Sequence, residues 1–131
     1  MKTLGIAINN DKGELIQIKT TTKQGLGVLT VTGAVSEDIL NSVKNVLQSL
    51  QVPRKLDIHI DIRAGRLPLC GPSLGYAILK SIIGAINNES DDLNTVFTGI
   101  INNSGNIEPV GGLTIKHETA KKYNKVLQTK L

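Results

Sequence analysis

The stretch from Lys55 to Arg63 alternates almost perfectly between apolar and polar residues. Leu56, Ile58, Ile60 and Ile62 fall on one face, and Asp57, His59, Asp61 and Arg63 on the other. This period of two is the signature of a strand with one side buried. The buried side needs a cover, and two segments have the helical spacing to supply it. Ile39, Leu40, Val43, Val46, Leu47 and Leu50 follow Ser36, which reads as an N-cap. Glu37 and Asp38 suit the positive end of that helix, and Pro53 closes the region. A second helix opens at Ser73 and keeps Leu74, Ala77, Ile78, Ile82 and Ala85 on one side. The polar run from Asn87 to Asp92 ends it.

The rest of the chain reads as strands and turns, with one more helix. Strands are expected at Leu4 to Ile8, Glu14 to Lys19 and Val28 to Thr32, separated by turns at Asn9 to Gly13 and Lys23 to Gly27. Further strands are expected at Thr95 to Ile101 and Ile107 to Val110, around the turn Asn102 to Gly105. After Gly111-Gly112 a third helix runs from Thr114 to about Tyr123, followed by a short strand at Val126-Leu127. There is no repeat and no low-complexity tract. The order predicts one α+β domain over residues 1–131, long enough to bury a core without staples.

Composition narrows the function classes. The aromatics are Phe97, Tyr76 and Tyr123, so the core must be aliphatic. Net charge is +4, and five lysines (Lys116, Lys121, Lys122, Lys125 and Lys130) crowd the C-terminal end. Without stacking aromatics or a recognisable reading module, that cluster reads as a solvated face, and no nucleic-acid partner is expected. The single cysteine, Cys70, leaves no internal disulfide, and no stretch has transmembrane length. The N-terminal segment is too polar for a signal peptide, so a cytoplasmic location without a membrane partner is expected.

The chemistry centres on Leu69-Cys70-Gly71-Pro72-Ser73-Leu74-Gly75. A serine at a helix start is ordinarily an N-cap, and Ser73 can be that alone. The same place also presents a hydroxyl beside unpaired N–H groups and a positive dipole end, the parts of an oxyanion hole. A nucleophilic serine needs a base. His59 lies mid-strand and His117 follows a lysine, and no motif ties either to Ser73. A lysine can serve if it is neutral, which at pH 7 holds for about four in ten thousand unperturbed lysines. Burial raises that fraction. Lys116 has Val110, Leu113 and Ile115 around it behind the double glycine, whereas Lys80, on the serine's own helix, reads as a solvated side chain.

Gly71-Pro72-Ser73-x-Gly75, then Thr98-Gly99, then Pro109-Val110-Gly111-Gly112-Leu113-x-x-Lys116 resembles the proteolytic domain of the Lon protease family. The interval from Ser73 to Lys116 matches that family without a gap. Asp57-Ile58-His59-Ile60, Gly65 and Gly27-x-Leu29-Thr30-x-Thr32-Gly33 extend the likeness over nearly the whole chain. The resemblance implies a single compact domain, β-rich in its N-terminal half, with helices packed on a mixed sheet. It implies Ser73 as nucleophile, Lys116 as general base and Thr98 as the group that holds the lysine amine. Backbone N–H groups of the loop around Cys70, Gly71, Pro72 and Ser73 would bind the oxyanion. The substrate would be an extended polypeptide beside an exposed strand. Neither cofactor nor metal is implied, and ring-shaped homo-oligomers are an expectation from the family alone.

The chain departs from the family pattern at several positions. Cys70 stands where an acidic residue is common, Ile100 where glutamate often follows Thr-Gly, and Asp61 in place of a second strand histidine. Thr114 and Ile115 are less polar than usual. These changes make the lysine's surroundings more apolar. No G-x-x-x-x-G-K-[ST] loop occurs, so cleavage without ATP is expected. The chain stops soon after the third helix, where the family usually continues, so a compact stand-alone member or a C-terminally shortened domain is expected. The alternative is a catalytically inactive binding or assembly module, which Cys70 and Ile100 favour. Asp57, His59 and Asp61 as metal ligands, Cys70 as a reactive thiol and Gly71 to Gly75 as a kinase phosphate loop are weaker readings.

Overall fold

A computed structural model describes residues 1–65 and 72–130. Eight strands and three helices follow one another among the described residues. They are β1 (Lys2–Asn9), β2 (Lys12–Gln24), β3 (Leu29–Gly33), α1 (Glu37–Ser49), β4 (Leu56–Arg63), α2 (Gly75–Ile86), β5 (Thr95–Phe97), β6 (Ile100–Ile101), β7 (Ile107–Glu108), α3 (Leu113–Lys122) and β8 (Val126–Gln128). A single 3-10 turn, Pro72–Leu74, leads into α2. Six strands form a mixed sheet in the order β3-β4-β2-β1-β5-β8, and β6 and β7 form a separate two-stranded ribbon. The pairs β1/β2 and β2/β4 are antiparallel, whereas β3/β4, β1/β5 and β5/β8 are parallel.

The alternation in β4 does what its pattern dictates. Ile58, Ile60 and Ile62 are buried with Ile16 and Ile18 of β2, Ile39, Val43 and Val46 of α1, and Ala77, Ile78 and Ile82 of α2. Removing each such side chain from water contributes about 1.5–3 kcal/mol. The Ser36 hydroxyl caps α1 by accepting from the Ile39 N–H at 3.2 Å. Leu4 and Ile6 of β1 point to the opposite face, where they meet Val96 and Ala120 of α3. Helices therefore cover the sheet on both sides: α1 and α2 on one, α3 over one end of the other.

The uncovered part of that second face carries Gln17, Lys19, Thr21, Thr32, His59, Asp61 and Arg63. Asp57 accepts backbone N–H bonds from Leu26, Gly27 and Val28 at 2.8–3.0 Å, which holds its carboxyl below the usual aspartate range and fixes the β2–β3 turn. Thr32 and Arg63 engage Asp61 and likewise lower its carboxyl. Both carboxylates are thus committed to local structure, and among the described residues no group of three His, Cys, Asp or Glu is arranged to hold a metal. No described helix is long and apolar enough to cross a membrane.

Three of the boundaries that differ from the sequence reading have a clear physical reason. β2 runs on to Gln24 because Thr20 and Thr22 pair with Ile60 and Ile58, a continuation that a run of threonines hides from hydrophobic patterning. The expected strand Thr95 to Ile101 is broken at Thr98-Gly99: the Thr98 N–H still reaches Gln128 of β8, but the Gly99 N–H and carbonyl leave the sheet for Ser73 and Tyr76. The return strand stops at Glu108 because Pro109 has no N–H to continue the ribbon. The two faces of the sheet should separate sharply in stability. Ile60→Ala should cost roughly 2–5 kcal/mol in denaturant unfolding. Lys19→Ala, on the open face, should change it by less than about 0.5 kcal/mol.

Candidate active site

Ser73 lies in the 3-10 turn rather than at the N-cap of α2, a position that Leu74 occupies without a side-chain cap. The serine is half-buried. Its carbonyl accepts the Gly99 N–H at 3.0 Å, and the Gly99 carbonyl accepts the Tyr76 N–H at 3.1 Å. Ladder-like bonds of this kind require the two backbones to touch, and the glycines of both motifs permit it. A Cβ on Gly75 would stand 3.0 Å from the Ile101 nitrogen, and one on Gly99 2.9 Å from Ile107 Cγ2. The spacing Ser-x-Gly and the pair Thr98-Gly99 are therefore two halves of one close approach.

Thr98 faces the other way. It is fully buried, and its hydroxyl accepts a 3.0 Å hydrogen bond from Lys116 Nζ. Its own N–H donates to the Gln128 carbonyl of β8 at 3.1 Å. Lys116 sits in the first turn of α3, where Gly112 (φ +69°) turns the chain into the helix. Lys116, Thr119 and Ala120 share the inward side of α3, the neighbours expected at i, i+3 and i+4. That spacing, not the composition of the helix, puts a lysine only 4% exposed inside the protein.

Burial pushes the Lys116 amine below the usual lysine range. Its place near the positive end of α3 works in the same direction. No described carboxylate is within ion-pair distance to hold the charge. Lys80 is half-buried with its ammonium 5.7 Å from the Phe97 ring centre, so it is less solvated than its sequence position suggested. His117 is exposed, and His59 lies on the open sheet face against Thr32 at 2.7 Å.

Lys116 and Thr98 are thus joined through their side chains, and Thr98 and Ser73 through the backbone of Gly99. The Ser73 hydroxyl makes no hydrogen bond to the Lys116 amine. Pro72 is exposed at the start of the turn, while Cys70 and Gly71 lie outside the described residues. Beside Thr98 opens a groove of about 550 Å³ lined by Ile107, Glu108, Pro109, Val110 and Leu113 on one side and Thr129 and Lys130 on the other. Sequence reasoning did not find this groove, because its walls are separated by α3 and share no motif.

Burying a lysine without an acid has a consequence for stability. The unfolded chain holds the Lys116 proton to higher pH than the folded one, so folding is penalised at low pH. The penalty fades as pH rises from the lowered value to the usual lysine value. Lys116→Met keeps the apolar stem and removes the charge. Its melting temperature relative to the parent should be most favourable near pH 6 and should lose that advantage steadily towards pH 10. A difference independent of pH would mean that the amine is not titrating below its usual range.

A family model described as the Lon protease (S16) C-terminal proteolytic domain matches residues 2–128. The chain is 34% identical over 126 residues to the Lon protease of Buchnera aphidicola subsp. Acyrthosiphon pisum, covering 88% of the chain and 16% of that protein. It is 31% identical over 130 residues to the Lon protease of Solibacter usitatus, covering 91% and 16%. The Lon protease of Mycoplasma mycoides is 29% identical over 127 residues, covering 88% and 16%. The chain spans about 16% of the length of these curated relatives. With a match over almost all of its length, and with the mixed sheet and helices in place, this chain belongs to the Lon protease family as a proteolytic domain.

Proposed function

We propose that this domain hydrolyses internal peptide bonds of extended polypeptides through an acyl-enzyme on Ser73, with Lys116 as general base. The observation that carries the reading is the buried Lys116 amine, lowered by desolvation and bonded to Thr98, one residue from the backbone that holds Ser73. A neutral amine takes the Ser73 proton as Oγ attacks the carbonyl carbon. The same ammonium returns the proton to the leaving amine, and water then releases the acyl group by the reverse use of Lys116. The backbone N–H groups of Ser73, Cys70 and Gly71 are the proposed oxyanion donors, Pro72 having no N–H to give. Thr98 fixes the amine's direction without competing for its proton. Nothing in these steps uses ATP or a metal.

The groove supports the choice of substrate. Among the described residues β7 pairs only with β6, in a two-stranded ribbon, and its Ile107 and Glu108 line the groove. An extended chain can add to such an edge through backbone bonds and place apolar side chains against Pro109, Val110 and Leu113. Assembly into rings and a cytoplasmic setting are carried as proposals from the family. The inactive binding-module reading keeps one supporting observation, the missing hydrogen bond between Ser73 and Lys116. Catalytic hydrogen bonds commonly tighten only once substrate is bound, so this geometry alone does not decide against chemistry.

Cleavage of an unstructured protein, followed by mass spectrometry, separates the two readings. The parent should cut, Ser73→Ala should be dead, and Lys116→Ala should lose roughly 10²–10⁴-fold in kcat, both remaining folded. The rate should rise with pH and level off below the usual lysine value. Thr98→Val should lower kcat on the order of 10- to 100-fold through misplacement of the amine. It should not move the pH inflection upward, because the hydroxyl it removes stabilises the protonated amine more than the neutral one. A parent that cuts nothing at pH 8 to 9 would favour the binding module.

A further inference from the structure

Tyr76 is a large, fully buried side chain three residues after Ser73, and the chemistry above makes no use of it. Its ring packs edge-on against Phe97, with centroids 5.1 Å apart. Its hydroxyl accepts from Gln128 Nε2 at 2.7 Å and donates to the Lys130 carbonyl at 2.9 Å. Gln128 Nε2 also donates to that carbonyl, at 3.0 Å. The three groups close a triangle of hydrogen bonds at the point where the sheet stops.

That point matters because the β5/β8 pairing ends at Phe97 and Gln128, so residues 129 and 130 have no strand partner. Among the described residues, the hydrogen bonds made by residues 129 and 130 are the two that converge on the Lys130 carbonyl. Yet Thr129 and Lys130 line one side of the groove beside Thr98, facing Glu108 to Leu113. The width of the groove therefore depends on what ties down a segment that the sheet itself does not hold. Tyr76 is suited to the task, since its N–H is fixed by the Gly99 carbonyl and its ring by Phe97.

We propose that Tyr76 is a positioning residue for polypeptide binding, which through its hydroxyl latches Thr129 and Lys130 in place as one wall of the groove. The proposal rests on the reading that this groove receives an extended polypeptide. Its effect is on how the chain seats and not on the proton transfer between Ser73 and Lys116. Burial pushes the Tyr76 phenol above its ordinary range, so the hydroxyl remains a donor while the lysine loses its proton. The latch is thus expected to act unchanged over the pH range in which the rate climbs.

The test uses Ser73→Ala, which separates binding from cleavage, and a fluorescent unstructured peptide as probe. Adding Tyr76→Phe, which removes only the hydroxyl, should weaken the Kd about fivefold, the worth of one hydrogen bond. Gln128→Leu should do the same, and the two together should do little more than either alone, because they cut one latch. Backbone NMR order parameters should fall at residues 129 and 130 of the Tyr76→Phe protein and stay unchanged in α2 and β5. In the Ser73 parent, Tyr76→Phe should raise KM by the same factor and leave kcat intact. If the parent cuts nothing while Ser73→Ala binds and Tyr76→Phe weakens binding, the peptidase reading fails and the latch stands. An unchanged Kd, fully multiplicative losses in the double variant, order parameters that fall throughout the molecule, a fall in kcat at constant KM, or no binding by Ser73→Ala would each overturn it.

Discussion

The site depends on the contact between two backbones at Gly99. Its N–H is held by the Ser73 carbonyl and its carbonyl by the Tyr76 N–H, at 3.0 and 3.1 Å. This one residue takes the chain out of the large sheet after β5 and lays it against the turn that carries the serine. The break sets Thr98 at the end of the strand, where its side chain reaches the Lys116 amine and its N–H reaches β8. Four segments distant in sequence meet there: the serine turn, the strand break, the start of α3 and the end of β8. Bulk at either glycine would push the first two apart, and the serine and lysine would lose their common reference.

Electrostatics give the arrangement its chemical sense. A buried ammonium without a carboxylate is costly, and proteins ordinarily neutralise or pair such a group. Here the only described partner of the amine is a hydroxyl, and the helix end behind it is positive. The protein accepts the cost of desolvation at Lys116, and the result is an amine that gives up its proton more readily than an ordinary lysine. The two histidines, His59 and His117, lie on exposed surfaces.

Much of this was legible in the chain, for reasons that differ by element. The β4 alternation and the spacing of α1 and α2 state directly which sides are buried, and the burial follows them except at Leu40, which is exposed, and at Leu47, Leu50 and Leu56, which are half-buried. The motif residues around Ser73, Thr98 and Lys116 carried the family. The break at Thr98-Gly99 was hidden, because Val96, Phe97, Ile100 and Ile101 read as one apolar strand on either side of it. The departure is a matter of where hydrogen bonds go, and hydrophobic patterning is blind to that. The length of β2 was hidden for a related reason: three threonines are polar in sequence yet pair across to β4. The groove and the Tyr76 latch were out of reach, since they join residues whose neighbourhood exists only after β8 has paired with β5.

The most direct test of the central claim is the rate at which a serine-directed fluorophosphonate labels Ser73 as a function of pH. This reaction needs the nucleophile and its base but neither the groove nor a particular substrate. The account expects labelling at Ser73 alone, with a rate that rises as pH increases and levels off below the usual lysine value, and that collapses in Lys116→Met. Labelling that is absent, or whose rate is flat with pH and indifferent to Lys116→Met, would contradict a serine activated by a desolvated lysine.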